Sequence, residues 1–335
     1  KLSFVYITFQ IFSCDSNMEF PTAAADNAVK CITADSSKIN TAEPETSHII
    51  YQSKDGGQTW DNISQSLPEN AKPEGFFTNE KEMYLRVKNS MYRSINDFKN
   101  PVWTKEYNLD KGSTSIAFNP SGVFAYNYEG QIYQKINSTG TWLPVFSNFK
   151  KQLLRTIFES SNGTLFIGCD SGLYKSTDKG QNWTHVLNEG WVMKLVEEDG
   201  VIVGTGEKGI MRSTDNGDQW NWVIREGGVG IDIEKINGGF AAITYNTTSK
   251  TRRMRVSMDK GVSWQDIDHG IQASESISSI LMIGKYLICG HPNGILRSAD
   301  MGKTWNKVLP TIGKKVFEVY SAGNVLYAIP RDFGC

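Results

Sequence analysis

Seven tryptophans, Trp60, Trp103, Trp142, Trp183, Trp220, Trp264 and Trp305, lie 43, 39, 41, 37, 44 and 41 residues apart. Five of them close nearly the same string: Ser53 to Trp60, Ser176 to Trp183, Ser213 to Trp220, Ser257 to Trp264 and Ser298 to Trp305. Each string carries Asp two residues after its Ser (Asp55, Asp178, Asp215, Asp259, Asp300), then Gly, then the Trp. Two worn copies fill the gap. Lys135-Ile136-Asn137 precedes Trp142 and swaps Asp for Asn, and Ser94-Ile95-Asn96 precedes Trp103. A fixed period of this size means a propeller, a solenoid or an array.

Between the strings the pattern is β. In the unit ending at Trp183, short apolar runs at Leu154 to Glu159, Leu165 to Gly168 and Leu173 to Ser176 are separated by turn signals at Ser161-Asn162-Gly163 and Asp170-Ser171-Gly172. A fourth run follows the string, and the next unit repeats the plan. Four short strands per period, with a turn about every ten residues, predict a propeller blade. No amphipathic helical period stands out. The string itself reads as the turn between third and fourth strands. Its Gly supplies a positive φ. Its Asp accepts bonds from the turn's own N–H groups, the Ser adds a weaker one, and the Trp packs beneath the hairpin. One strand before Ser53 and two after Trp305 predict a blade shared by the two chain ends. The expected fold is therefore all-β, a seven-bladed propeller over residues 46–335 with a closed ring and few open sheet edges.

The strings resemble the Asp-box, or bacterial neuraminidase, repeat over roughly residues 46 to 330. That family spans sialidases, xyloglucan-degrading glycosidases, sortilin-type receptors and photosystem II assembly factors, so the resemblance implies a fold and leaves activity open. A motif in nearly every blade resembles the assembly-factor type more than the sialidases. The Arg-Ile-Pro motif that the sialidase resemblance would require is missing; Ile329-Pro330-Arg331 has the wrong order.

Thirty-five basic and 36 acidic residues give a net charge of −1. That balance argues against nucleic acid or an anionic membrane as main partner. Residues 1–14 differ from the rest: Leu2 to Phe12 is short and apolar and ends Ser13-Cys14. This resembles a lipoprotein signal whose Cys14 becomes lipidated. Residues 15–45 then form a tether, with Val29 to Thr33 a candidate edge strand, and the protein is exported to the cell envelope. Cys169 and Cys289 read as small buried hydrophobes. Cys31 and Cys335 flank the ring closure and are candidates for a disulfide. Asn-x-Ser/Thr sequons at Asn62, Asn137, Asn162, Asn182 and Asn246 coincide largely with turn chemistry. The motif aspartates stand singly, without a calcium-loop rhythm, so no metal or cofactor is expected.

The loops at the end opposite the motifs differ from blade to blade. They hold Trp191, Glu207, Lys208, Arg225, Arg252, Arg253, His291 and Arg331, the candidate binding residues, and Thr247 to Arg253 is the longest insertion. Variable loops on a regular scaffold are where recognition is placed. The expected function is a non-catalytic binding or assembly scaffold, monomeric, taking a protein or glycan at this face. The alternative is a glycoside hydrolase. It would need two facing carboxylates, for which Asp170, Glu207 and Glu226 are candidates, or for a sialidase an arginine clamp such as Arg155, Arg225 and Arg331.

Overall fold

The computed structural model describes residues 49–65, 67, 71–95, 101–109, 114–137, 139–145, 148–225 and 228–332. All of these belong to the unit 44–335. The expectations for Cys14, Cys31, Cys335, Glu226, the leader and the tether lie outside the described residues.

The described strands form seven antiparallel four-stranded sheets, the blades of a propeller. Blades 1 to 6 run in sequence over residues 73–106, 115–145, 154–187, 192–224, 228–266 and 279–310. Blade 7 takes its two inner strands from Lys315–Ala322 and Val325–Asp332, and its two outer ones from Tyr51–Ser53 and Asp61–Asn62. Tyr51 pairs with Ala328 and Gln52 with Tyr327, which closes the ring. A single 3-10 turn at Tyr107–Leu109 is the helical element among the described residues.

Among the described residues the apolar core is not one mass but seven clusters, one in each space between neighbouring blades. Between blades 3 and 4, Phe166, Leu173 and Leu187 meet Val192, Leu195, Ile202 and Met211. Between blades 4 and 5, Val201, Val203, Ile210 and Ile224 meet Ile233, Phe240 and Ala242. The reason is geometric: successive side chains of a strand point to opposite faces, and each blade has both faces covered by a neighbour.

The repeated turns behave as their residues dictate. In the first copy, Ser53 Oγ donates to Asp55 Oδ1 at 2.8 Å and accepts from the Gly57 N–H at 2.9 Å. Asp55 accepts from the Gln58 N–H at 2.8 Å, and its Oδ2 from the Thr59 hydroxyl at 2.6 Å. The Ser–Asp and Ser–Gly bonds recur in the copies at Asp178, Asp215, Asp259 and Asp300. In blade 2, where Asn137 replaces Asp, backbone bonds close the turn, Gly140 N–H donating to the Ile136 carbonyl at 2.7 Å.

The tryptophans do more than the expectation. Trp60 and Trp220 lie against Gly57 and Gly217 of their own turns, and each ring also packs on the preceding blade. Trp220 of blade 4 meets Phe166 of blade 3 edge-on at 6.3 Å, with its Nε1 donating to the Gly217 carbonyl at 3.1 Å. Trp305 of blade 6 donates directly to the Ile267 carbonyl, which follows blade 5, at 2.7 Å. Trp60, Trp183 and Trp264 likewise join the clusters of blades 6/7, 2/3 and 4/5, and Trp142 lies between blades 1 and 2. The turn therefore fastens two blades together, because the ring that could not be covered by a four-stranded sheet alone finds apolar surface next door.

One further repeated device sits at the start of third strands. Gly172, Gly209 and Gly294 have φ of 123°, 121° and 123°. A Cβ there would lie 1.8 to 2.0 Å from the Leu187, Ile224 or Leu309 carbonyl oxygen of the outer strand. Gly209→Ala is expected to cost at least about 1–3 kcal/mol from backbone strain alone. Denaturant midpoints test this, and an unchanged midpoint would refute it.

The motif carboxyls also set the acid limit of the fold. Asn182, through its N–H and side-chain amide, holds Asp178 at about 2. The hydroxyl and N–H of Ser263 and of Thr304 hold Asp259 and Asp300 at about 2. An unfolded Asp titrates near ~3.9. A folded-state value below that means stability fully present above about pH 4 and lost as pH falls toward about 2. The melting temperature should be level above that point and fall below it, and Asp→Asn at all three positions should flatten the fall. An equal fall in the triple variant would show that other groups control it. Chelation should leave the melting temperature unchanged, since both Asp55 and Asp259 oxygens are already met by N–H and O–H donors.

Candidate functional site

Antiparallel order puts the turn after each second strand and the link between blades at one end of the ring, and the repeated motifs at the other. Trp191, Glu207, Lys208, Arg225, Arg252, Arg253, His291 and Arg331 all belong to the end opposite the motifs. Their side chains do quite different things.

At blade 4, Glu189 gathers three partners. Lys208 Nζ donates to it at 3.1 Å, Trp222 Nε1 at 3.2 Å, and Arg225 lies 3.5 Å away. Lys208, with Arg225 behind it, holds the Glu189 carboxyl below its ordinary value. The Arg225 guanidinium also lies over the Trp222 ring at 5.7 Å. Glu207 is exposed and rests against the 188–191 turn, where Gly190 leaves it room. One blade away, Arg155 ion-pairs Asp170 at 2.6 Å and covers the half-buried Trp191 ring at 5.1 Å.

Four more of the predicted residues have structural partners. Arg253 reaches Asp268 at 2.6 Å and Asp266 at 2.8 Å across the outer edge of blade 5. Arg252 Nη1 donates to the Ile277 carbonyl at 2.5 Å, tying the long 267–278 segment to the hairpin. His291 is 1% exposed; its Nε2 meets the Gln272 carbonyl at 3.1 Å and its Nδ1 accepts from the Asn293 N–H at 3.1 Å. Burial pushes the His291 imidazole down, against the pull of the Gln272 carbonyl, so it remains neutral near neutrality. Arg331 turns into the ring, pairing with Glu318 and donating to Tyr320 Oη at 3.3 Å.

The inner strands enclose a central cavity of 520 Å³. Apart from Arg331, its polar wall holds none of the residues that the sequence marks as candidates. Lys194 of blade 4 ion-pairs Asp232 of blade 5 at 2.9 Å and also Glu234. Asp232 Oδ2 accepts from the Ile280 N–H of blade 6 at 3.1 Å. Enclosure alone would depress the Lys194 ammonium, but Asp232 and Glu234 hold it above its ordinary value. Enclosure pushes the Glu234 carboxyl up, against the pull of Lys194. The available signal was the Asp232-Ile233-Glu234 alternation, which puts two acids on one face of an inner strand. The candidate arginines Arg155, Arg225 and Arg331 each have their own carboxylate, Asp170, Glu189 and Glu318 respectively.

Exposed apolar groups accompany these charges. Tyr107 is 77% exposed, Tyr128 47%, Leu153 40% and Met193 36%, all at inter-blade links, second turns or inner-strand starts of this same end.

No known family profile matches the chain. No curated protein matches it either. Solved structures do. A YCF48 structure bound to D1 peptide superposes with a TM-score of 0.55 at 14% identity, over 80% of this chain and 96% of that one. YCF48 from Cyanidioschyzon merolae gives 0.56 at 12% identity, over 78% and 97%. The GH74 xyloglucanase from Xanthomonas campestris gives 0.60 at 13% identity, over 79% of this chain but 52% of that one. The chain thus spans about half the length of that enzyme and nearly all of the YCF48 chains, and at these identities the likeness is one of fold: a seven-bladed β-propeller.

Proposed function

We propose that this protein is an Asp-box propeller, exported and held in the cell envelope by a lipid on Cys14, that binds a protein partner without catalysis at the end opposite the motifs. The observation that carries this reading is the company of Tyr107, Tyr128, Leu153, Met193 and Trp191 with cations at that end. Aromatic residues, Met and Arg are the groups enriched at protein interfaces. Arg155, Arg225, Arg253 and Arg331 there are spent on their own carboxylates, which leaves positioned planar surfaces rather than a clamp for a substrate carboxylate. The YCF48 structure with a bound D1 peptide shows that a propeller of this size can hold a protein segment. The anchor rests on the Ser13-Cys14 string; Cys14→Ser should move the protein from the membrane fraction to the soluble one, and an unchanged pellet would refute it.

A glycoside hydrolase is the second reading, favoured by Asp232 and Glu234 side by side in the cavity with the Glu234 carboxyl raised. One comparison separates the two. Photo-crosslinkers placed at Tyr128 and Met193 should give the same discrete adduct in cells, absent when the crosslinker is placed at Met258 on the motif end, and weakened by Trp191→Ala. Release of reducing sugar from xyloglucan or of sialic acid from sialosides, abolished by Glu234→Gln or Glu207→Gln, would replace the scaffold with the hydrolase.

A further inference from the structure

The central cavity holds one more carboxylate than its cations can meet. Among the described residues its wall carries Glu74, Asp232, Glu234 and Glu318 against Arg86, Lys194 and Arg331. Arg86 lies 3.8 Å from Glu74, and Arg331 pairs with Glu318. Lys194 is left to serve two acids, Asp232 at 2.9 Å and Glu234.

The two acids are not equally provided for. Asp232 Oδ1 also accepts from the Ile233 N–H at 3.0 Å, and its Oδ2 accepts from the Ile280 N–H at 3.1 Å. Glu234 has Lys194 on Oε1, and its Oε2 meets no donor among the described residues. Enclosure raises the Glu234 carboxyl, and a second positive charge beside it would favour the ionised form. A metal ion does not fit. Among the described residues no three His, Cys, Asp or Glu side chains are grouped to hold one, and both Asp232 oxygens are already committed. The 520 Å³ of space is instead that of a small organic group. In a ring of seven, blade 1 stands across the axis from blades 4 and 5, so Phe77 of blade 1 and the acids belong to opposite walls. Ile231 and Leu281 add apolar lining beside the acids.

We propose that this cavity binds an alkylammonium ion, its nitrogen donating to Glu234 Oε2 and its apolar body lying against Ile231, Leu281 and Phe77. A free amine and a lysine side chain carry this same group. The site uses none of Tyr107, Tyr128, Leu153, Met193 and Trp191, so it does not rest on the protein-binding reading.

Calorimetric titration of the full chain tests the proposal, with n-butylamine, the methylamide of Nα-acetyllysine, 1-butanol and butyrate as probes. At about pH 8 an alkylammonium with a Lys-like value near ~10.4 stays charged. None of the probes has a glycosidic bond, so the heat reports binding alone. At least one of the two amines should bind about tenfold or more tightly than 1-butanol, and butyrate should bind no more tightly than 1-butanol. The stronger amine tells a free ligand from a side chain. Glu234→Gln, nearly isosteric, should weaken amine binding by about tenfold or more. Its melting temperature should stay near the parental one, because Lys194 keeps Asp232. Equal affinity for amine and 1-butanol, no heat from either amine at millimolar concentration, or parental amine affinity in folded Glu234→Gln would overturn it.

Discussion

Glu82→Ala is expected to destabilise the protein by about 3–5 kcal/mol, as loss of one member of a buried ion pair does. The Glu82 side chain is 9% exposed and that of Lys135 4%. Removing the carboxylate strands the Lys135 ammonium and takes from Arg93 the nearer of its two carboxylates, leaving it Glu106 at 3.7 Å. Burial alone would raise the Glu82 carboxyl, but Lys135 and Arg93 hold it below its ordinary value. Burial depresses the Lys135 ammonium despite Glu82. The carboxylate is therefore over-supplied with partners and the ammonium under-supplied. Lys135→Met should accordingly cost less than Glu82→Ala, because Glu82 keeps Arg93. Urea midpoints of the two variants decide this, and a larger loss for Lys135→Met would reverse the argument.

Trp220→Ala should cost about 3 kcal/mol, the lower end of the range for aromatic deletions because the ring is only half buried. The loss removes the edge-on contact with Phe166 and the bond to the Gly217 carbonyl. Since the ring belongs to blade 4 and its apolar partners to blade 3, the damage falls on the junction rather than on the hairpin. Trp220→Phe should retain most of the packing and lose about 1 kcal/mol with the hydrogen bond. Hydrogen exchange should show the greatest loss of protection in Phe166 and its neighbours in blade 3. A loss confined to 213–224 would mean that the ring serves its own turn.

Local chemistry was readable from the sequence, and distant company was not. The Ser-x-Asp-x-Gly turns could be foreseen because every bond in them spans at most four residues. The blade shared by the chain ends followed from counting strands. The destination of the tryptophans did not follow, since their apolar partners lie a whole blade earlier. Lys135 and Glu82 are 53 residues apart, and nothing local to either announces the other. His291 and Arg253 read as loop residues at the end opposite the motifs; their turns are tight enough that backbone carbonyls and neighbouring acids claim them. Asp232 and Glu234 sit within a strand, where polar alternation reads as an ordinary solvent face, so nothing in the sequence marks them out from one.

The ring closure also orders events in time. Gln52 and Tyr327 are separated by 275 residues and share both a strand pairing and a side-chain bond at 3.3 Å. During synthesis, Tyr51–Ser53 emerges early and finds its partner strand only after the other six blades have been made. At translation rates of about 5–20 residues per second that wait is on the order of ten seconds to a minute. Throughout it the strand keeps an unpaired edge, and the blades already formed have an open flank on each side of the gap. Contacts this distant in sequence are slow to form, so the vulnerable species is an almost complete ring. A partner or chaperone that shields the blade 7 gap would act on the nascent chain, long before the finished surface exists to be recognised.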